Sequence, residues 1–129
     1  MQKRNGLKTL LTSSMLLLGL AGAVAAQAGV LEKVRAHGAV RCGVASDKPG
    51  FSLIDDKGQW TGMDVDLCRA VATAALGDST KVEYIATTGK NRFTALASGE
   101  IDVLSRATSW TADRIASLGV DFTTVWFYD

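Results

Sequence analysis

The chain has one histidine, His37, and two cysteines, Cys42 and Cys68. Protein metal centres draw mainly on these residue types, and so few of them make no metal-binding set. Charge of one sign is also missing, because 14 Lys and Arg stand against 13 Asp and Glu. Without a basic stripe, nucleic acid is not an expected partner. There is a single proline, Pro49, and no internal repeat or low-complexity tract that would mark a disordered chain. Past residue 28, no apolar run approaches the ~20 residues that a membrane-crossing helix needs.

What is present begins with a leader. Lys3, Arg4 and Lys8 precede an uncharged run from Leu10 to about Val24, and Ala26-Gln27-Ala28 follows. A basic start, a short apolar middle and a small-x-small end describe a secretory signal peptide over residues 1–28, with Gly29 as the new N-terminus. An uncleaved anchor is the competing reading, but the run is too short to span a bilayer as a helix. Residues 29–129 then carry 11 basic against 13 acidic side chains, a balance of −2, and are long enough for one compact domain. Export places the chain in an oxidising compartment, with no membrane insertion after cleavage. Cys42 and Cys68 are therefore candidates for a disulfide. Two small buried apolar residues would read the same way in sequence, which does not fix their separation.

The mature chain alternates strands with helices. Val30–Ala36 has helical spacing, Ala39–Ala45 suits a buried strand, and Ser46–Gly50 is turn chemistry. Phe51–Ile54 and Gln59–Thr61, separated by Asp55-Asp56-Lys57-Gly58, read as a small hairpin. Asp64 is placed to cap a helix in which Val65, Cys68, Val71, Ala72, Ala75 and Leu76 share one side. Lys81–Ala86 alternates as a strand, Thr88 can cap a helix carrying Phe93, Leu96 and Ala97, and Ile101–Leu104 is a further strand. Thr111 opens a last helix with Ile115 and Leu118 on its apolar side. Gly38, Gly77, Gly99 and Gly119 supply the stops. Such alternation predicts an α/β fold, an open and mostly parallel sheet with helices on both faces. Ligands of these sheets lie at the carboxyl ends of the strands, which here means Ser46–Phe51 and Ser105–Arg114.

The second of these stretches is the more informative. It leaves a buried strand and enters a helix, where unpaired N–H groups favour an anion. Hydroxyls on Thr108, Ser109 and Thr111 can donate to the same anion, and the planar fork of Arg114 can hold a carboxylate through two parallel bonds. Duller roles compete at each position. Thr111 serves equally as an N-cap, Arg114 can pair with Asp113 or Asp121, and Trp110 can simply pack. Arg106, directly after the apolar strand, faces ligand, a carboxylate or water. Phe51 either walls a ligand side chain or seals the hairpin. Asp47 and Lys48 either meet the polar ends of a ligand or are merely solvated.

Four segments, in order and spacing, resemble the solute-binding proteins of polar amino-acid ABC transporters, family 3. They are Gly43-Val44 with Pro49-Gly-Phe-Ser52, then Gly58-Gln-Trp-Thr-Gly-Met-Asp-Val-Asp-Leu67, Arg92-Phe-Thr-Ala-Leu-Ala-Ser-Gly-Glu-Ile-Asp-Val-Leu104, and Thr108-Ser-Trp-Thr-Ala-Asp-Arg114, followed by Asp121-Phe122. Cys42-Gly-Val, Leu67-Cys-Arg-Ala-Val-Ala72 and Ser109-Trp-Thr111 are most similar to the general L-amino-acid-binding branch. The resemblance covers residues 29–129 and implies the N-terminal lobe of a type II periplasmic binding protein, with the second lobe absent. It further implies a periplasmic, monomeric protein that binds L-amino acids without a cofactor and delivers them to an ABC transporter permease. Arg114 would grip the ligand α-carboxylate, and Thr108, Ser109 and Thr111 would complete the grip. The Asp47–Phe51 loop would line the other end. Ala107 stands where that branch tends to carry a polar amide.

A lone lobe offers half a cleft, open to water and its screening, so very weak amino-acid binding is expected of this chain alone. Two other functions use this fold class. An exported arogenate- or prephenate-dehydratase-like enzyme would need a positioned acid or base, and the strand ends offer Asp47 and little else. A sensor or lytic-enzyme-associated binding module would carry further segments.

Overall fold

A computed structural model of the chain describes residues 29–128; the expected leader over residues 1–28 lies outside them. The element order is α1 (Val30–His37), β1 (Val40–Val44), β2 (Asp47–Lys48), β3 (Ser52–Ile54), β4 (Trp60–Thr61), α2 (Met63–Leu76), β5 (Val82–Ala86), α3 (Arg92–Ser98), β6 (Val103–Leu104) and α4 (Ala112–Leu118). Each helix stops at the glycine expected from the sequence.

Two small sheets result. β1 lies between β5 and β6, parallel to both, with Val40 opposite Val82 and Cys42 opposite Val103. β2, β3 and β4 form an antiparallel meander. Its turn is held by Asp55, whose carboxylate accepts from the N–H groups of Lys57 and Gln59 at 2.9 and 2.8 Å, the local bonding that makes Asp a turn residue.

Alternation along β1 sends its side chains to opposite faces. Val40, Cys42 and Val44 point at Val34 of α1 and at Cys68 and Ala72 of α2, all buried. On the other face, position 43 is tight: a Cβ on Gly43 would come within 2.5 Å of Ile101 Cδ1. That close approach seats the α3–β6 connection against the strand.

Covalent and ionic ties reinforce the small core. Cys42 and Cys68 form a disulfide with Cα atoms 6.1 Å apart, which decides the question the sequence left open. Arg41 donates its N–H and Nε to Asp102 Oδ2 at 3.0 and 3.1 Å and Nη2 to Oδ1 at 2.6 Å. Burial pushes the Asp102 carboxyl up, but these bonds and the Arg41 charge prevail and hold it below its usual value.

Three local expectations are corrected. Asp64 does not cap α2; Gly62 is the N-cap, and Asp64 is buried inside the first turn. Helical spacing would put Val30, Leu31 and Val34 on one side of α1, yet only Val34 is buried and the other two, in the first turn, are exposed. α4 buries none of its residues, and Ile115 and Leu118 stay exposed, since no described strand lies beneath them.

Candidate functional site

The carboxyl ends of β1, β5 and β6 meet at one place. Ser105 continues the ladder past β6 by donating its N–H to Gly43 O at 2.9 Å, and Thr87 does the same past β5 with Val44 O at 2.8 Å. Between these anchors, residues 105–111 make a tight loop. Arg106 is buried, with Nε donating to Thr87 O at 3.0 Å. Thr108 Oγ1 donates to Arg106 O at 2.7 Å. Ala107 takes φ of +34°, the only positive φ outside glycine among the described residues.

α2 supplies the group beneath this loop. The Asp64 carboxylate accepts from Ser105 Oγ at 3.2 Å and from the Ala107 N–H at 3.1 Å. Burial raises its carboxyl above the usual range, while those two bonds, Ser52 and the Arg106 charge pull in the opposite direction. The Asp64 N–H in turn donates to Phe51 O at 2.8 Å.

Arg114, near the start of α4, folds back onto the loop. Its Nη1 donates to Ser109 O, and its guanidinium lies 5.6 Å from the centre of the Phe93 ring. Thr111 is the N-cap, accepting from the Arg114 N–H at 3.3 Å. α4 has only seven residues, so its dipole adds less than a longer helix would. The loop amides matter more: within the described residues the N–H groups of Thr108, Ser109 and Trp110 make no hydrogen bond.

One residue of this cluster escaped the sequence reading. Arg92, at the start of α3, donates Nη1 to Thr108 Oγ1 at 3.2 Å and stacks 4.9 Å from the same Phe93 ring. Its Nε is buried without a partner. Burial first, then the charges of Arg114 and Arg106, lower its pKa. The available signal was a cation at the N-terminal end of a helix, where the macrodipole disfavours it. The three guanidiniums join none of the ion pairs found among the described residues. The neighbourhood is therefore rich in cations, with Asp64 a nearby carboxylate that feels the Arg106 charge without forming an ion pair with it.

A cleft of about 370 Å³ opens beside the loop. Phe51 and Asp64, Ala107–Trp110, and the segment from Phe122 to Tyr128 supply its walls. Phe51 packs edge-on against Phe127 at 5.1 Å, and Trp110 stacks on Phe122 at 5.4 Å. Of the residues singled out in the sequence, Phe51, Thr108 and Ser109 line this cleft, while Arg106, Thr111 and Arg114 are not among its lining residues. Asp47 and Lys48 are corrected. Both are exposed residues of β2, paired with Leu53 and Ser52, and neither is among the residues that line the cleft.

The profile of the bacterial extracellular solute-binding proteins, family 3, matches residues 40–129. The chain belongs to this family. The general L-amino acid-binding periplasmic protein AapJ of Rhizobium johnstonii is 55% identical over 108 residues, covering 84% of this chain and 32% of the relative. The chain thus spans about a third of the length of such curated relatives. Among solved structures, a periplasmic binding protein from Brucella ovis with glutathione bound is 54% identical with a TM-score of 0.69, over 71% of this chain and 29% of that one. The arginine-bound form of domain 1 from TmArgBP, in a Phe57Trp mutant, superposes with a TM-score of 0.60 at 26% identity, over 67% of this chain and 64% of that one. The fold is accordingly the α/β lobe of a periplasmic binding protein, as the resemblance implied. Among the described residues no helix is long and apolar enough to cross a membrane.

Proposed function

We propose that this chain is the first lobe of a periplasmic amino-acid-binding protein and that its loop 105–111 grips the α-carboxylate of an L-amino acid. The carrying observation is the group of three guanidiniums, Arg92, Arg106 and Arg114, gathered at the strand ends with no carboxylate paired to any of them. A ligand carboxylate relieves their mutual repulsion and accepts the N–H groups left bare at Thr108–Trp110. In this reading Arg114 swings from Ser109 O to the ligand, Thr108, Ser109 and Thr111 add hydroxyls, and Phe51 walls the side chain. Arg106 acts from behind, held by Thr87.

The delivery partner is the membrane permease of an ABC transporter, and the working place is the periplasm after removal of residues 1–28. The protein acts as a monomer and needs no cofactor. We read it as a binder and not an enzyme, because the one buried carboxylate at the site, Asp64, is spent on hydrogen bonds within the fold. AapJ supports a broad L-amino-acid specificity. The arginine-bound domain 1 of TmArgBP supports a single lobe holding its ligand. With half of the cleft open to water, affinity is weak.

Titrating the ¹⁵N-labelled chain with a panel of L-amino acids tests this. Saturable shifts centred on residues 105–114 are expected, with Arg114→Ala binding roughly tenfold or more weakly, as loss of a charged hydrogen bond implies. Unchanged affinity in Arg114→Ala, or shifts confined to the meander, would refute it.

A further inference from the structure

The loop at the strand ends is in a conformation its sequence does not favour. Ala107 has φ of +34°, a region in which a side chain crowds its own backbone and which alanine enters only when the surroundings impose it. Locally, Thr108 Oγ1 donates to Arg106 O across the turn at 2.7 Å. What reaches this turn is a carboxylate from another element, 43 residues earlier in the chain.

We infer that Asp64 is the positioning residue of the anion-binding loop: from the first turn of α2 it pins Ser105 Oγ and the Ala107 N–H, and so forces the left-handed turn that presents Thr108 and Ser109. The inference rests on the function proposed above. Asp64 also holds the opposite wall, because its own N–H donates to Phe51 O, while the neighbouring Met63 N–H donates to Gly50 O at 3.0 Å. One residue therefore ties together the two sides of the cleft that Phe51 and Ala107–Ser109 provide.

A simpler role would be charge balance for the adjacent Arg106. The two roles separate by substitution. Asn at this position keeps an oxygen for the Ala107 N–H and offers its amide N–H to Ser105 Oγ, but removes the charge. Ala removes both. If Asp64 positions the loop, Asp64→Asn binds L-alanine and L-glutamate within about threefold of wild type, or more tightly since the cationic cluster is then unopposed. Asp64→Ala binds them about tenfold more weakly, the worth of one charged hydrogen bond. Amide exchange at Ala107 accelerates about tenfold in Asp64→Ala and stays near wild type in Asp64→Asn.

Equal weakening in the two variants would make the effect one of charge and overturn the inference. So would wild-type affinity and Ala107 exchange in Asp64→Ala. Should Asp64→Ala not fold, Ser105→Ala removes one of the two tethers and keeps the charge. Binding about threefold weaker with faster Ala107 exchange is then expected, and no change in either overturns the inference. The exchange measurement needs no ligand. If wild type shows no amino-acid-dependent shifts, the proposed function fails while the role of Asp64 in the loop is still decided.

Discussion

Reducing the Cys42–Cys68 bridge should remove a large share of this lobe's stability. The two cysteines are 26 residues apart in sequence, and closing a loop of that length restricts the unfolded chain by about 3.5 kcal/mol at 25 °C in the chain-entropy account. Both cysteine side chains are fully buried, so reduction leaves the packed atoms in place and the difference reports mainly on the crosslink. A domain of this size has on the order of 5–15 kcal/mol in total, and the buried apolar set here is short. The assay is urea denaturation followed by circular dichroism, with and without reductant. With a slope of about 1.5 kcal/mol per molar, the midpoint should fall by roughly 2 M. Because Cys68 lies one turn beyond Asp64 on α2, amides of residues 105–107 should exchange faster as well. A midpoint that moves by less than about 0.5 M would refute the closure argument.

Three further outcomes follow from particular contacts. Gly62→Ala should cost at least about 3 kcal/mol in urea denaturation, since Gly62 has φ of +118° and an added Cβ would stand 2.3 Å from the Phe51 carbonyl oxygen. Asp102, held below the ordinary 3.8 by Arg41, contributes stability that is fully present above that value and is lost as pH falls through the lower folded one. Acid titration of wild type should show this loss, and Asp102→Asn should flatten the curve in the same window. Thr111→Ala removes the only side-chain cap of α4, so exchange of the Arg114 amide should quicken roughly fivefold, for about 1 kcal/mol. Unchanged exchange there would mean the cap contributes nothing.

The alternation of elements was legible in the sequence because each helix carries its apolar residues at spacings of three and four and ends in glycine. Val65, Cys68 and Ala72 on α2 are one such row, and all three are buried. Thr88 carries the local pattern of a helix start, yet the N-cap of α3 is Asn91; the Thr88 hydroxyl accepts from the Asn91 N–H at 3.2 Å, and Asn91 Oδ1 accepts back from the Thr88 N–H at 2.7 Å, closing the turn that precedes the helix. Both partners lie within one turn. The bond from Arg114 to Ser109 O, five residues away, carried no sequence signal, since side-chain patterns point an arginine to carboxylates and not to a backbone carbonyl. Asp64 was misread as a cap because local charge at a helix start is the only thing a linear pattern reveals, whereas its partners sit 41 and 43 residues downstream. Arg92 was passed over because its carbon stem and charge look like an ordinary helix surface.

By itself the sequence determined the leader pattern, the order of strands and helices, and the residue types able to hold a carboxylate, all of which depend on neighbours within a few positions. Only the tertiary structure decided which of those residues share a place. Parallel pairing of β5, β1 and β6 brings Thr87 and Ser105 to neighbouring strand ends, where Arg106 bonds to Thr87 and the α2 carboxylate bonds to Ser105, while Asp47 and Lys48 pair within the separate meander. Sheet register is set by the packing of whole faces, so a contact made across it has no signature at either end of the chain segment that makes it.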